Sequence, residues 1–191
     1  MDWATSDWHL QHRKMRLARS EDYETQLIED YVSKVSCDDT VYILGDVMFR
    51  SHITKPWFAH LSETLAGRKI LVRGNHDYPI KRFPDSYWLD ECGFSEVHQD
   101  CLAVGPVFFS HLPIINDDPE DQRYPELTQN LYRAFILSGC SINVHGHTHG
   151  WRVRDDRCMG VSLEQTGYGL VNVTDLLLGE GDPATAAANV A

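Results

Sequence analysis

Val41-Tyr42-Ile43-Leu44-Gly45-Asp46 is the stretch whose reading decides the fold of this 191-residue chain. It reads as a buried strand, short and β-branched, that stops at a glycine and delivers a carboxylate. Four other segments repeat the plan. Trp3-Ala4-Thr5 runs into Asp7-Trp8-His9, Ile70-Leu71-Val72 into Gly74-Asn75-His76-Asp77, and Val107-Phe108-Phe109 into Ser110-His111. Ile142-Asn143-Val144 runs into His145-Gly146-His147-Thr148-His149. Each piece carries Asp, Asn or His, which are hard or borderline metal ligands. Open α/β sheets bind ligands in crevices beyond the carboxyl ends of their strands. Five such ends therefore predict a sheet edge assembled into a cage of metal ligands, the pattern of a metal-dependent enzyme.

Outward from these strands, residues 2–6 read as the first strand. Between 15 and 35, Leu17, Leu27, Ile28, Tyr31 and Val35 recur with helical spacing and predict one crossover helix. Pro56 opens a second helix through Leu65, with Gly67 at its stop. Residues 69–73 form the third strand. This alternation predicts βαβ units and a parallel sheet. Further on, 96–98, 101–104 and 107–109 are short, tightly connected segments with a turn at Gly105-Pro106, and are expected as antiparallel or edge strands. The polar stretch 116–126 is a loop, followed by a helix over 127–137. Residues 151–173 hold three more strand candidates, including 160–163 and 169–173. A single domain over 1–178 is expected, with a flexible Gly-, Ala- and Asp-rich tail over 179–191. There is no internal repeat.

A composition of 42% hydrophobic and 24% charged residues is that of an ordinary soluble domain. No run of about 18 apolar residues exists, so no membrane helix is expected. A strand must precede Asp7, which leaves no room for a secretion signal and makes a cytoplasmic location the default expectation. The five cysteines, Cys37, Cys92, Cys101, Cys140 and Cys158, form no C-x-x-C pair. They argue against a disulfide framework or a zinc knuckle and are expected reduced, packed as small hydrophobes. Seventeen basic against 28 acidic residues give a net charge of −11, which repels extended nucleic acid. A bound metal pair would reverse that sign locally, so small phosphate substrates stay open.

Taken singly, Asp-x-His or Gly-Asp is a common accident, and Asn75 with Asp77 could open a helix. Three imidazoles at 145, 147 and 149 are a stronger signal. In order along the chain, D-x-H, G-D, G-N-H-[DE], H and G-H-x-H resemble the calcineurin-like metallophosphoesterase superfamily. The likeness spans about residues 5–149 with no departure at a ligand position. Val161-Ser162-Leu163-Glu164 and the run 168–173 resemble the closing strands of small, capless bacterial and phage members.

The resemblance implies an α/β sandwich of two mixed β-sheets flanked by α-helices, and two divalent metal ions. One ion would be held by Asp7, His9, Asp46 and His149, and the second by Asp46, Asn75, His111 and His147, with Asp46 bridging. His76 would not be a ligand but would sit beside the phosphate and assist the leaving group. The implied catalytic residues are thus His76, Asp46 and Asn75. Phosphoester hydrolysis at neutral pH needs a strong nucleophile, and a metal can lower the pKa of bound water to about 7. Two cations about 3.5–4 Å apart can bind both the attacking and leaving oxygens. The N/O ligand set suits Mn, Fe, Co, Ni or Zn, with Mn²⁺ favoured.

Around that core, Asp77 is expected to support its loop or a second-layer histidine. His145 is expected either behind the ligands or at the strand end touching them. Arg73 and Arg50 adjoin motif loops, as phosphate contacts or as solvated arginines. Trp8 is expected in the core more than on the pocket wall. His12 and His52 could line the entrance, whereas His60 and His98 fall outside the pattern. The 116–126 loop follows His111 and is read either as a lid or as an ordinary exposed loop.

The expected function is dinuclear metal-dependent hydrolysis of a phosphodiester by a metal-bridging hydroxide. The substrate would be a small or cyclic nucleotide. A phosphomonoesterase or a nuclease on the same fold is the alternative, and a non-catalytic scaffold would show eroded ligands, which this chain does not. Sequence alone leaves the oligomeric state open.

Overall fold

In the computed structural model, residues 1–49, 54–78, 83–121 and 123–179 are described. Arg50, His52 and the tail from residue 180 fall outside them. The first sheet has the order β4-β3-β2-β1-β9, built from β1 (Asp2–Thr5), β2 (Thr40–Ile43), β3 (Arg68–Val72), β4 (Glu96–His98) and β9 (Val171–Asn172). The second has the order β5-β6-β7-β8, from β5 (Cys101–Val104), β6 (Val107–Ser110), β7 (Ile142–His145) and β8 (Cys158–Gly160). β1 to β4 pair in parallel and β9 antiparallel; β6, β7 and β8 pair in parallel and β5 antiparallel. Both sheets are mixed, as expected for the sandwich.

Period-2 alternation sorts the core into layers. Val41 and Ile43 of β2 and Leu71 of β3 face the helical side, packing with Trp8, Leu27, Tyr31 and Phe58. Tyr42, Leu44, Ile70 and Val72 face the other way, into the layer between the sheets, where they meet Val107, Phe109 and Val144. The rings of Tyr42 and Phe109 stack across that layer at 4.1 Å. Phe108 points to the outer face of the second sheet, against Leu131 and Phe135 of α4 (Pro125–Ser138). A one-residue slip in β2 would put Tyr42 where Ile43 belongs and spoil both layers at once.

Two expectations are corrected. The helix predicted over 15–35 is two helices, α1 (Met15–Ala18) and α2 (Tyr23–Lys34), with Arg19 extended between them at φ −104 and ψ 175. Leu17, counted in the apolar stripe, is exposed. The break exists because the Arg19 side chain turns inward to hold two backbone carbonyls described below. The 101–104 and 107–109 segments pair antiparallel, as expected, with β5 at the edge and β6 inside the second sheet between β5 and β7. Finally, 160–163 is not a strand. Ser162 is extended and Leu163 opens a helical turn, α5 (Leu163–Thr166), while β9 stops at Asn172. The Asn172 side chain accepts from the backbone N of Thr174 and Asp175 and so starts α6 (Val173–Leu178). The second crossover helix, α3 (Thr54–Thr64), lies where the Pro56 signal placed it.

Trp8 is fully buried, with its Nε1 donating to Thr5 Oγ1 at 2.9 Å, so the core reading of this residue holds. The five cysteines are free thiols. Among the described residues, no helix is long and apolar enough to cross a membrane.

Candidate metal centre

β1, β2 and β3 run parallel in adjacent register, so the loops that follow them emerge side by side. The loop after β1 is laced to the loop after β2: Asp7 N donates to Gly45 O, His9 N to Asp46 O and Leu10 N to Val47 O. From the second sheet, Gly146 N donates to His111 O. The structure thereby brings Asp7, His9, Asp46, Asn75, His111, His147 and His149 to one place, with His76 at its rim.

Five of these residues have left-handed backbone: Asp7 at φ 58, His9 at 46, Asp46 at 54, His147 at 70 and His149 at 46. Non-glycine residues rarely adopt this conformation, which persists where surrounding structure enforces it and clusters at functional sites. Two glycines permit the close approach of the loops. A Cβ on Gly74 would strike the Asp46 carboxylate and backbone, and one on Gly146 would strike the Ser6 hydroxyl and Asp7 Oδ2.

Each ligand candidate is aimed by a partner. Asp7 Oδ2 accepts from His147 N at 2.8 Å and Ser162 Oγ at 2.9 Å, leaving Oδ1 turned to the histidines. Asp46 Oδ1 accepts from His76 N at 2.7 Å, leaving Oδ2 at 3.6 Å from both His9 Nε2 and His111 Nε2. His111 Nδ1 faces Leu44 O at 2.7 Å and His149 Nδ1 faces Glu164 Oε1 at 3.0 Å. Both rings therefore carry the proton on Nδ1 and present a lone pair at Nε2, an arrangement common behind metal-bound histidines.

Two groups of donor atoms result. Asp7 Oδ1 lies 3.8 Å from His9 Nε2 and 3.9 Å from His149 Nε2. Asp7 Oδ1 and His9 Nε2 are buried and have no hydrogen-bond partner. On the other side, His147 Nδ1 lies 3.0 Å from Asn75 Oδ1 and 3.2 Å from His111 Nε2, which is itself 3.0 Å from Asn75 Oδ1. Ligand atoms at about 2.1 Å from one ion and at right angles would be separated by about 3.0 Å. Buried acceptors that converge with nothing between them call for an ion or a water. The residues present fit divalent cations, and Asp46 Oδ2 belongs to both groups.

The electrostatics agree. Burial pushes the Asp46 carboxyl up to about 7. Burial works against Asp7 as well, but His111, His149 and His9 hold it below the usual range. Burial lowers His9 to about 3 and His147 to about 4, which keeps both neutral and able to donate a lone pair at pH 7. His111 and His149 are raised despite burial, by Asp46 and Asp7 in one case and by Glu164 and Asp7 in the other.

The surrounding residues separate cleanly. Asp77 is buried and accepts from Gly74 N, Asp46 N and Val47 N, so it supports its loop as expected. His145 is buried behind the ligands, with Nδ1 at 2.9 Å from Gly146 O and Nε2 without a partner. Arg73 is not a solvated arginine. Its guanidinium is buried, donating to Asp77 O and to Asp85 Oδ1. His12 stacks on Phe49 at 5.0 Å and stands 5.6 Å from His9, at the entrance. His60 is exposed and His98 pairs with Glu96. In the 116–126 segment, Asp121 Oδ2 comes within 2.8 Å of His147 Nε2, outside hydrogen-bond geometry, and the Tyr124 ring lies 5.7 Å from that of His147. Its acids work internally: Asp117 accepts from Trp151 Nε1 and Arg154 N, and Asp121 from Arg123.

Three participants escaped the sequence reading: Arg19, Glu164 and Ser162. Arg19 donates to Asp7 O at 2.8 Å, Trp8 O at 3.1 Å and Glu164 Oε1 at 2.8 Å, tying the first ligand loop to the residue behind His149. No local motif marks them, since Arg19 and Glu164 stand 145 positions apart.

A profile described as calcineurin-like phosphoesterase matches residues 3–151. Gene 66 protein of Mycobacterium phage D29 is 32% identical over 168 residues, covering 80% of each chain. Gene 66 protein of Mycobacterium phage L5 is 29% identical over 167 residues, covering 77% of this chain and 76% of its own. Among solved structures, the protein of unknown function AQ665 from Aquifex aeolicus superposes with a TM-score of 0.74 at 24% identity, covering 89% of this chain and 94% of that one. A novel archaeal phosphodiesterase superposes with a TM-score of 0.50 at 20% identity, covering 91% and 94%. Strand-end ligands, two converging donor groups and a matching profile across most of the chain lead to one conclusion: this protein belongs to the calcineurin-like phosphoesterase family, whose members are metal-dependent phosphoester hydrolases.

Proposed function

We propose that the chain hydrolyses a small phosphodiester, such as a linear or cyclic nucleotide, with two divalent cations, Mn²⁺ favoured. The observation that carries this reading is the position of Asp46 Oδ2, at 3.6 Å from His9 Nε2 in one donor group and from His111 Nε2 in the other. Asp7, His9, Asp46 and His149 would hold one cation, and Asp46, Asn75, His111 and His147 the second. Bound there, the cations would supply Lewis acidity and a water ionised near neutral pH.

The residues of the chain do the rest. Asp46 keeps both groups in register through the His76 N–H on its Oδ1 and the Asp77 carboxylate under its backbone. Asn75 contributes a neutral oxygen, which leaves cationic charge uncancelled for a phosphate. The His76 side chain is 44% exposed while those of His9 and His111 are 5% and 1%, so His76 faces incoming substrate. Its Nε2, 3.8 Å from Asp46 Oδ2, is placed to protonate a departing alkoxide as the new P–O bond to water forms and the ester P–O bond breaks. A general acid of this kind suits a diester with a poor leaving group.

The deciding experiment compares bis-p-nitrophenyl phosphate with p-nitrophenyl phosphate on metal-stripped protein reloaded with Mn²⁺. Mn²⁺-dependent cleavage favouring the diester supports the reading. A monoester preference makes the protein a phosphatase. No cleavage of either by protein that binds two metals overturns it.

A further inference from the structure

A cavity of about 280 Å³ opens beside the Asn75 and His111 end of the donor cluster. Its walls are chemically divided. Leu112, Leu127 and Leu131 make an apolar side, Tyr78 and Tyr124 contribute rings, and Arg73, Gln99 and Asp100 form a polar end. We infer that this cavity receives the organic group esterified to the phosphate, and that the group is a flat, neutral ring system of nucleobase size. The inference rests on the reading that a phosphoester is hydrolysed at the adjoining cluster.

Four observations lead there. The first is contiguity: Asn75 and His111 are shared between the cavity wall and the donor group they form with His147, so a phosphoryl group at the cluster would place its ester substituent at the cavity mouth. The second is size. The volume is just below the roughly 300–1,000 Å³ of small-molecule pockets, which suits a single ring system. The third is shape, since Tyr78 and Tyr124 offer π faces, and Arg73 already lies over the Tyr78 ring at 5.9 Å.

The fourth observation is chemical. Arg73 is fully enclosed and its Nη1 and Nη2 donate to Asp77 O and Asp85 Oδ1. The occupant is better neutral than anionic, because Asp85 at 2.6 Å already meets the guanidinium charge and Asp100 stands on the same wall. An aliphatic ester group would fill the leucine side but leave the Tyr78 and Tyr124 rings without a stacking partner.

The test measures equilibrium binding to Mn²⁺-loaded protein of adenosine and uridine 5′-monophosphates, phenyl phosphate and ribose 5-phosphate. The base is expected to add at least tenfold affinity over ribose 5-phosphate, with phenyl phosphate weaker than the better nucleotide. In Leu127→Trp, which fills the apolar side, and in Tyr78→Ala, which removes a ring, the ratio of nucleotide to ribose 5-phosphate affinity should fall towards one. If either variant loses metal or unfolds, the other decides. Equal affinity for nucleotides and ribose 5-phosphate in the wild type, or a ratio unchanged in the folded variants, overturns the inference; phenyl phosphate matching the better nucleotide overturns the assigned nucleobase size. Turnover of bis-p-nitrophenyl phosphate in the same samples separates the two failures. Hydrolysis without a base preference removes the pocket assignment alone, whereas a base preference without any hydrolysis removes the enzymatic reading alone.

Discussion

The carboxylate of Asp77 accepts from the backbone N–H of Asp46 at 2.8 Å, and the same oxygen takes the N–H of Gly74 at 2.8 Å. One buried side chain thus joins the loop after β2 to the loop after β3 and sets where the central carboxylate stands. Asparagine at 77 would turn an N–H₂ towards N–H donors unless it flipped, and could satisfy only one side. Asp77→Asn is therefore expected to cost about 1–3 kcal/mol of stability and to lower metal occupancy. Urea unfolding and metal analysis check this; a variant with wild-type midpoint and two metals contradicts it.

Asp46→Asn keeps the shape of the side chain but removes the charge shared between the donor groups. Activity should fall below detection and metal content below that of the wild type. Two tightly bound metals in this variant would show that Asp46 does not serve both groups.

His76→Ala should retain both metals, because His76 stands at the exposed rim. Loss of a general acid is worth about 10²–10⁴ in rate, and the loss should be much smaller for a p-nitrophenolate leaving group than for an alkoxide. Equal losses on both substrates would assign His76 to phosphate binding instead of proton transfer.

Glu164→Gln keeps an acceptor near His149 Nδ1 but weakens it and removes the carboxylate from Arg19. Metal affinity is expected to fall about 10–100-fold, the usual effect of altering a residue behind a metal-bound histidine. Titration with Mn²⁺ gives the result, and an unchanged Kd excludes the positioning role.

Metal binding should be linked to pH with a definite sign. Burial raises metal-free Asp46 to about 7, and His111 and His149 are also raised, so below pH 7 cations must displace protons from these groups. His9 at about 3 and His147 at about 4 are already neutral and release none. Affinity should therefore rise with pH through about 7, with more protons released at pH 6 than at pH 8.5. Calorimetry in buffers of different ionisation enthalpy reads this directly. Equal release at both pH values would contradict the raised Asp46.

The residues of the donor cluster were legible because each follows a strand end, and strands announce themselves locally through short apolar runs. The boundaries of the helix after β1 were not legible. Leu17 fits a helical stripe by spacing yet is exposed, since the chain breaks at Arg19 to bury a guanidinium against Asp7 O and Trp8 O. The 160–163 segment misled similarly: its apolar residues suit a strand, but Leu163 packs in the helical-side core and begins a turn that carries Glu164 to His149. Arg73 adjoins a motif, where both a phosphate contact and a solvated arginine fit the sequence, and is enclosed, because Asp77 O and Asp85 draw its guanidinium into the fold.

Sequence by itself determined the order of the motif-bearing loops, which depends on residue types at short spacing, and through the resemblance those motifs carry it implied the family and its sandwich of mixed sheets. Tertiary structure alone decided which nitrogen of His111 and of His149 faces the cluster, through Leu44 O behind one and Glu164 behind the other, and it alone formed the cavity between Tyr78, Tyr124 and Arg73. Local patterning specifies which residues reach a sheet edge. The direction of a lone pair and the shape of a cavity arise only when separate segments of the chain are packed together, and no short-range rule encodes them.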